Sequence, residues 1–105
     1  MEKYAWVAKI KKGKKDEYIL RHENIWDSMK QVLTEAGIKT YSIWLNGNQL
    51  FGYYECEKGV DFACKIQSDS TVVKEWNKYM KDVMVMPLDK ETGAQPKLVK
   101  VFDFR

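Results

Sequence analysis

YILRHENIWDSMKQVLTEAG, residues 18–37, is the stretch from which the fold is read. Tyr18, His22, Ile25, Met29, Val32 and Ala36 recur at intervals of four and three residues, one stripe of an α-helix, and Trp26 and Leu33 widen it. Glu23, Asp27, Lys30, Gln31 and Glu35 fall mostly outside it. Gly37 is a stop, because glycine accepts the left-handed cap conformation at little steric cost. The spacing therefore predicts one long helix from Tyr18 to Gly37. The only histidine of the chain lies in this stripe, one turn after a tyrosine, so an imidazole and a phenol point together toward whatever the helix covers.

Outward from that helix, the chain reads as strands and one more helical region. YAWVAKI (4–10) sets Tyr4, Trp6, Ala8 and Ile10 on one face and Ala5 and Val7 on the other, the pattern of a central strand. KKGKK (11–15) connects it to the helix. IKTYSIWL (38–45) and QLFGYYECE (49–57) are β-rich, and Asn46-Gly47 between them is a hairpin signal of type I′, since both residues tolerate positive φ. Gly52 inside the second strand marks a bulge or room for a close neighbour.

VDFACKIQ (60–67) suits a short helix, and Ser68, Asp69 and Ser70 are cap residues for a second one over about 70–84. Its stripe is Val73, Trp76, Met80 and Val83, with Val72 and Tyr79 beside them. Residues 86–97, with both prolines and Gly93, read as a loop long enough for a lid or a partner contact. LVKVFDFR (98–105) alternates and reads as a closing strand. The order is β-α-β-β-α-β, a ferredoxin-like α+β arrangement with an antiparallel sheet. Helices cover one sheet face, and the aromatic-rich other face must be hidden by a ligand or by a second sheet, the geometry of a face-to-face dimer.

The bulk numbers restrict the function classes. The 105 residues make one domain, 1–105, with 45% hydrophobic and 31% charged residues. Net charge is +3, and 16 of the 18 basic residues are lysines, whereas bidentate reading of phosphates and bases favours arginine; nucleic acid is not an expected partner. The basic run KIKKGKK (9–15) reads as a solvated turn, with an anion contact at the helix N-terminus as the functional option. Cys56 and Cys64 form neither CxxC nor a disulfide framework, which suits a reduced, cytoplasmic chain; Cys64 reads as core material of its helix. Charged Glu2 and Lys3 lead straight into a strand, so no secretory leader is expected, and no apolar run is long enough to span a membrane.

One histidine, no HxH or HExxH and no paired cysteines disfavour a metal. No GxSxG and no glycine-rich phosphate loop occur, so neither a serine nucleophile nor a nucleotide is expected. His22 is the acid–base candidate, against the alternative of a histidine satisfied in the core. Trp76 and Tyr41 are core or pocket-wall residues on pattern alone. The pattern permits a small pocket of Tyr, Trp and one His between sheet and helices.

EYILRHENIWDSM (17–29), Tyr41 within IKTYSIWL, and EWNKYMKDVM (75–84) together resemble the L-rhamnose mutarotase family, and the resemblance runs from the first strand to VFDFR. It implies a ferredoxin-like fold, a dimeric α+β barrel formed through the sheets, and cofactor-free exchange of the α and β anomers of L-rhamnose. By the same resemblance His22 is the proton donor, and Tyr18, Tyr41 and Trp76 contact the sugar. The family commonly carries a second tryptophan directly after the first; here that position is Asn77, an amide in place of a stacking plane. Asn77 thereby widens the expected substrate to related 6-deoxy sugars such as L-fucose. A ferredoxin-like monooxygenase and a non-catalytic sugar-binding module are the alternatives.

Overall fold

The computed structural model describes residues 1–85 and 98–104. Its elements are β1 (Glu2–Ile10), α1 (Lys15–Glu23), α2 (Asp27–Glu35), β2 (Ile38–Asn46), β3 (Gln49–Cys56), α3 (Val60–Asp69), α4 (Thr71–Met80) and β4 (Met84–Val85). The strands form one antiparallel sheet in the order β2-β3-β1-β4, with β1 internal as its two apolar faces require. Both helical layers cover one face of this sheet, giving the ferredoxin-like α+β architecture expected from the element order.

The long helix expected from Tyr18 to Gly37 is two helices. Asn24 ends α1: its side-chain Nδ2 and its backbone N–H both donate to the Leu20 carbonyl, at 2.9 and 3.1 Å. A short amide side chain that competes for backbone acceptors in this way breaks a helix that the apolar period alone would continue. Trp26 is extended at φ −61°, ψ 140°, and α2 starts after it. The stripe survives the break, because Tyr18, Met29, Val32 and Ala36 are all buried. The interruption turns the Trp26 ring against Trp76 and Tyr79, at centroid separations of 5.0 and 5.3 Å.

The hairpin turn is Gly47-Asn48 rather than Asn46-Gly47, since Asn46 pairs with Gln49 as the last residue of β2. Only Gly47, at φ 62°, needs positive φ, as in hairpins with glycine at the first turn position. Ser70 caps α4 by accepting the Val73 N–H at 3.3 Å. That helix stops at Met80, earlier than expected, and the chain turns so that Met84 and Val85 pair with Ile10 and Lys9.

The fourth strand is therefore Met84–Val85, and 98–104 is not a strand. Alternation along LVKVFDF reports an extended chain, but a strand also needs a partner edge. Among the described residues this segment is tied instead by a backbone bond, Leu98 N–H to the Ala5 carbonyl at 2.9 Å, and by the Lys3–Asp103 ion pair at 2.8 Å. Lys3, then Lys100, hold the Asp103 carboxyl down to about 2. Val99, Val101, Phe102 and Phe104 remain exposed. The expected 86–97 loop lies outside the described residues.

The core lies between sheet and helices. Tyr4, Trp6, Ala8 and Ile10 of β1 meet Leu50, Tyr54 and Cys56 of β3, and Met80 and Val83 close it from the other side. Full burial of side chains the size of Leu50 or Met80 stabilises by about 1.5–3 kcal/mol each. Ala63 fills the buried position of α3, whereas Cys64, expected in the core, is exposed. The opposite sheet face carries Trp44, Phe51 and Tyr53, with Trp44 68% exposed.

Candidate active site

Between the helices and the sheet lies a cavity of about 820 Å³. Sheet residues Tyr4, Trp6, Tyr41, Ile43 and Tyr54 make its floor, and α1 and α2 bring Tyr18, His22 and Met29 to one wall. Trp76 and Asn77 come from α4, and Cys64 and Gln67 from α3. All five residues singled out from the sequence, Tyr18, His22, Tyr41, Trp76 and Asn77, thus border one space. A smaller recess of about 130 Å³ on the open sheet face is lined by Val7, Ala8, Lys9, Gln49 and Phe51, without an imidazole or a phenol.

His22 is half-buried on the last turn of α1, and its ring is fixed from three sides. Nδ1–H donates to the Tyr18 carbonyl at 3.2 Å, because a carbonyl can only accept. The Tyr18 ring stacks on it at 4.3 Å, and Trp76 meets it edge-on at 5.5 Å. With Nδ1 committed, Nε2 is the nitrogen left for a ligand. Burial lowers the His22 pKa, and the Tyr18 carbonyl offsets part of that effect. The resting ring is accordingly neutral near pH 7, with a lone pair on Nε2.

The phenols are held in the opposite sense. Burial raises Tyr18 well above the ordinary phenol value and pushes Tyr41 up to about 12, so both are neutral donors at any working pH. Trp6 Nε1–H donates to the Tyr41 oxygen at 2.9 Å. Tyr4, Tyr54 and Tyr41 lie in a row across β1, β3 and β2, with neighbouring centroids 5.0 and 5.2 Å apart. The Tyr54 oxygen lies 3.8 Å from Cys64 Sγ, and burial raises this phenol too.

No described residue lining the cavity is a carboxylate; its lysines, Lys30 and Lys65, are both exposed. Among the described residues no group of three or more His, Cys, Asp and Glu could hold a metal ion. The arrangement can move protons at a small neutral molecule through one imidazole and several phenols, and can hold an apolar surface against Trp76.

Sequence reasoning missed Trp6, Tyr4 and Tyr54 as cavity residues. A signal was present: Gly52 pairs with Trp6 and interrupts a face otherwise made of large side chains. The register runs through Gly52 without a bulge, so its other reading, room for a neighbour, is the correct one.

Fold and cavity together define a ferredoxin-like α+β domain built around one imidazole in an aromatic-walled, ligand-sized space. Residues 3–104 match the family model described as L-rhamnose mutarotase. The L-rhamnose mutarotase of Formosa agariphila is 31% identical over 104 residues, covering 97% of each chain. That of Sinorhizobium fredii is 36% identical over 98 residues, covering 91% of this chain and 92% of its own. The crystal structure of a Formosa agariphila L-rhamnose mutarotase superposes with a TM-score of 0.79 at 28% identity, covering 100% of both chains. Tetracenomycin F2 cyclase of Streptomyces glaucescens, a type-II polyketide cyclase, shares the fold alone, with a TM-score of 0.72 at 8% identity over 100% of this chain and 98% of that one. The chain belongs to the L-rhamnose mutarotase family.

Proposed function

We propose that this protein is an isomerase that interconverts the α and β anomers of L-rhamnose, or of a related 6-deoxy hexopyranose such as L-fucose. Membership of the mutarotase family supports the reaction class. The observation that carries the reading is the sole imidazole at the cavity wall, its Nδ1–H bound to the Tyr18 carbonyl and its Nε2 left for a ligand.

Neutral His22 takes the proton of the anomeric hydroxyl on Nε2. The O–H electrons form the C1=O double bond, the C1–O5 bond breaks, and its electron pair takes a proton at the ring oxygen. The open aldehyde turns about C1–C2. On closure O5–H adds to the other face of C1 and releases its proton, while His22 returns a proton to O1 and so acts as the donor. Protons lost and gained balance over the cycle, so the chemistry needs no cofactor. In this reading a phenol of the lining or a water supplies the ring-oxygen proton. Acid–base assistance of this kind is worth about 10²–10⁴-fold.

Tyr18 supports the imidazole, Tyr41 and Trp76 hold the sugar, and Asn77 offers an amide to a hydroxyl. Trp44 and Phe51 on the open sheet face support a homodimer through that face. No described helix is long and apolar enough to cross a membrane, and the free cysteines Cys56 and Cys64 fit a cytoplasmic setting. Saturation-transfer NMR on L-rhamnose and L-fucose tests the activity: anomer exchange above the spontaneous rate is expected, and its absence for both sugars overturns the reading.

A further inference from the structure

Three neighbouring strands create one relay in the cavity floor. Trp6 of β1 pairs with Gly52 of β3, which pairs in turn with Ile43 of β2. A Cβ built at Gly52 would overlap the Trp6 indole at Cε2 and Nε1. The indole therefore lies across the middle strand, through the gap that Gly52 leaves, and its Nε1–H reaches the Tyr41 oxygen at 2.9 Å on the far side. Trp6 is only 4% exposed.

The chemistry of the two groups fixes the direction of the bond. An indole N–H donates and never accepts, so the phenol oxygen accepts. Tyr41 carries one proton, and that proton is left for another partner. Both side chains border the cavity. A pyranose ring oxygen accepts hydrogen bonds and never donates, so it is matched by a phenol whose acceptor side is already occupied. As Tyr41 donates, charge builds on its oxygen and the Trp6 N–H strengthens the donation, as in any hydrogen-bonded chain.

We propose that Trp6, seated over Gly52, is a positioning residue of the anomer exchange: it turns the Tyr41 hydroxyl proton into the cavity, toward an acceptor oxygen of the sugar. The proposal rests on the mutarotase reading of the cavity. It adds two residues, Trp6 and Gly52, that act through Tyr41 rather than on the sugar.

The test is a double-mutant cycle on exchange rates with Trp6→Phe, Tyr41→Phe and the pair, alongside the wild type. Trp6→Phe is expected to lower kcat by about five- to tenfold, the worth of one hydrogen bond, and to change it by less than about twofold once Tyr41 is Phe. Site-specific replacement of Trp6 by benzothienylalanine, which keeps both fused rings and puts sulfur in place of the N–H, is expected to give the same loss without emptying the core. In either Trp6 variant the loss should fall on kcat rather than on KM, since the bond aims a proton and makes no contact with the sugar. Equal losses in both Tyr41 backgrounds, or a loss confined to KM, overturn the proposal alone. A wild type that is inactive on both sugars overturns the cavity reading and this proposal with it.

Discussion

His22 donates its Nδ1–H to the backbone carbonyl of Tyr18 one turn earlier, at 3.2 Å, while the two rings stack at 4.3 Å. A helix repeat thus does two things with one pair: it fixes the tautomer through the backbone and the ring plane through the side chain. His22→Ala removes the imidazole from a half-buried wall. The variant is expected to remain folded and to lose about 10²–10⁴-fold in anomer exchange above the spontaneous rate. Circular dichroism with exchange NMR checks both halves, and full activity in a folded variant contradicts the assignment.

Burial holds the His22 pKa below its ordinary value of 6.5, so the folded chain gives up this proton more readily than the unfolded chain. The unfolded state binds more protons between those two values. The stability tied to neutral His22 is therefore complete above about pH 6.5 and is lost as pH falls toward the folded value. Activity should follow the same ionisation, with the acid limb of kcat/KM centred below 6.5. A limb centred at or above 6.5 would mean that burial does not control the ring.

Tyr41→Phe leaves the Trp6 N–H buried without its acceptor. The expected cost is about 1–3 kcal/mol of folding stability, the desolvation penalty of an orphaned donor, measured by urea unfolding. Trp6→Phe leaves a phenol that still faces the cavity, so its loss of stability should come from packing rather than from an orphaned group.

Gly52→Ala puts a methyl group where the indole lies. Trp6 must shift, the 2.9 Å bond to Tyr41 stretches, and overpacking costs about 1–3 kcal/mol. Exchange should fall at least as far as in Trp6→Phe. Normal activity with normal stability in Gly52→Ala would show that the indole has somewhere else to go.

Asn77 is exposed yet borders the cavity next to the buried Trp76. Asn77→Leu keeps similar volume and deletes the amide. The ratio of exchange rates on L-rhamnose and L-fucose should shift by about tenfold or less, the scale of one neutral hydrogen bond. An unchanged ratio would separate this residue from sugar choice.

Apolar period and turn chemistry made most of the fold legible. Residues 4–10, 38–45 and 49–56 lie in strands, because alternation agrees there with β-branched or aromatic side chains. The misses share a cause: periodicity reports which face is apolar, and says nothing of what a single polar side chain or a free edge does. Asn24 broke the first helix through its own amide, and 98–104 has the alternation of a strand without a ladder. The cavity was half legible. Tyr18 and His22 stand out as polar tips on an apolar stripe, whereas Trp6 looks like any core indole until Gly52 is placed opposite it.

The absence of acidic side chains from the described cavity lining has a practical corollary. Phenols and a deprotonated imidazole carry no net charge before turnover, and an aldose carries none either. Of the described lining only the exposed Lys30 and Lys65 offer charge for brine to screen, and neither has a part in the proton moves, so turnover should keep nearly the same pace from dilute buffer to molar sodium chloride.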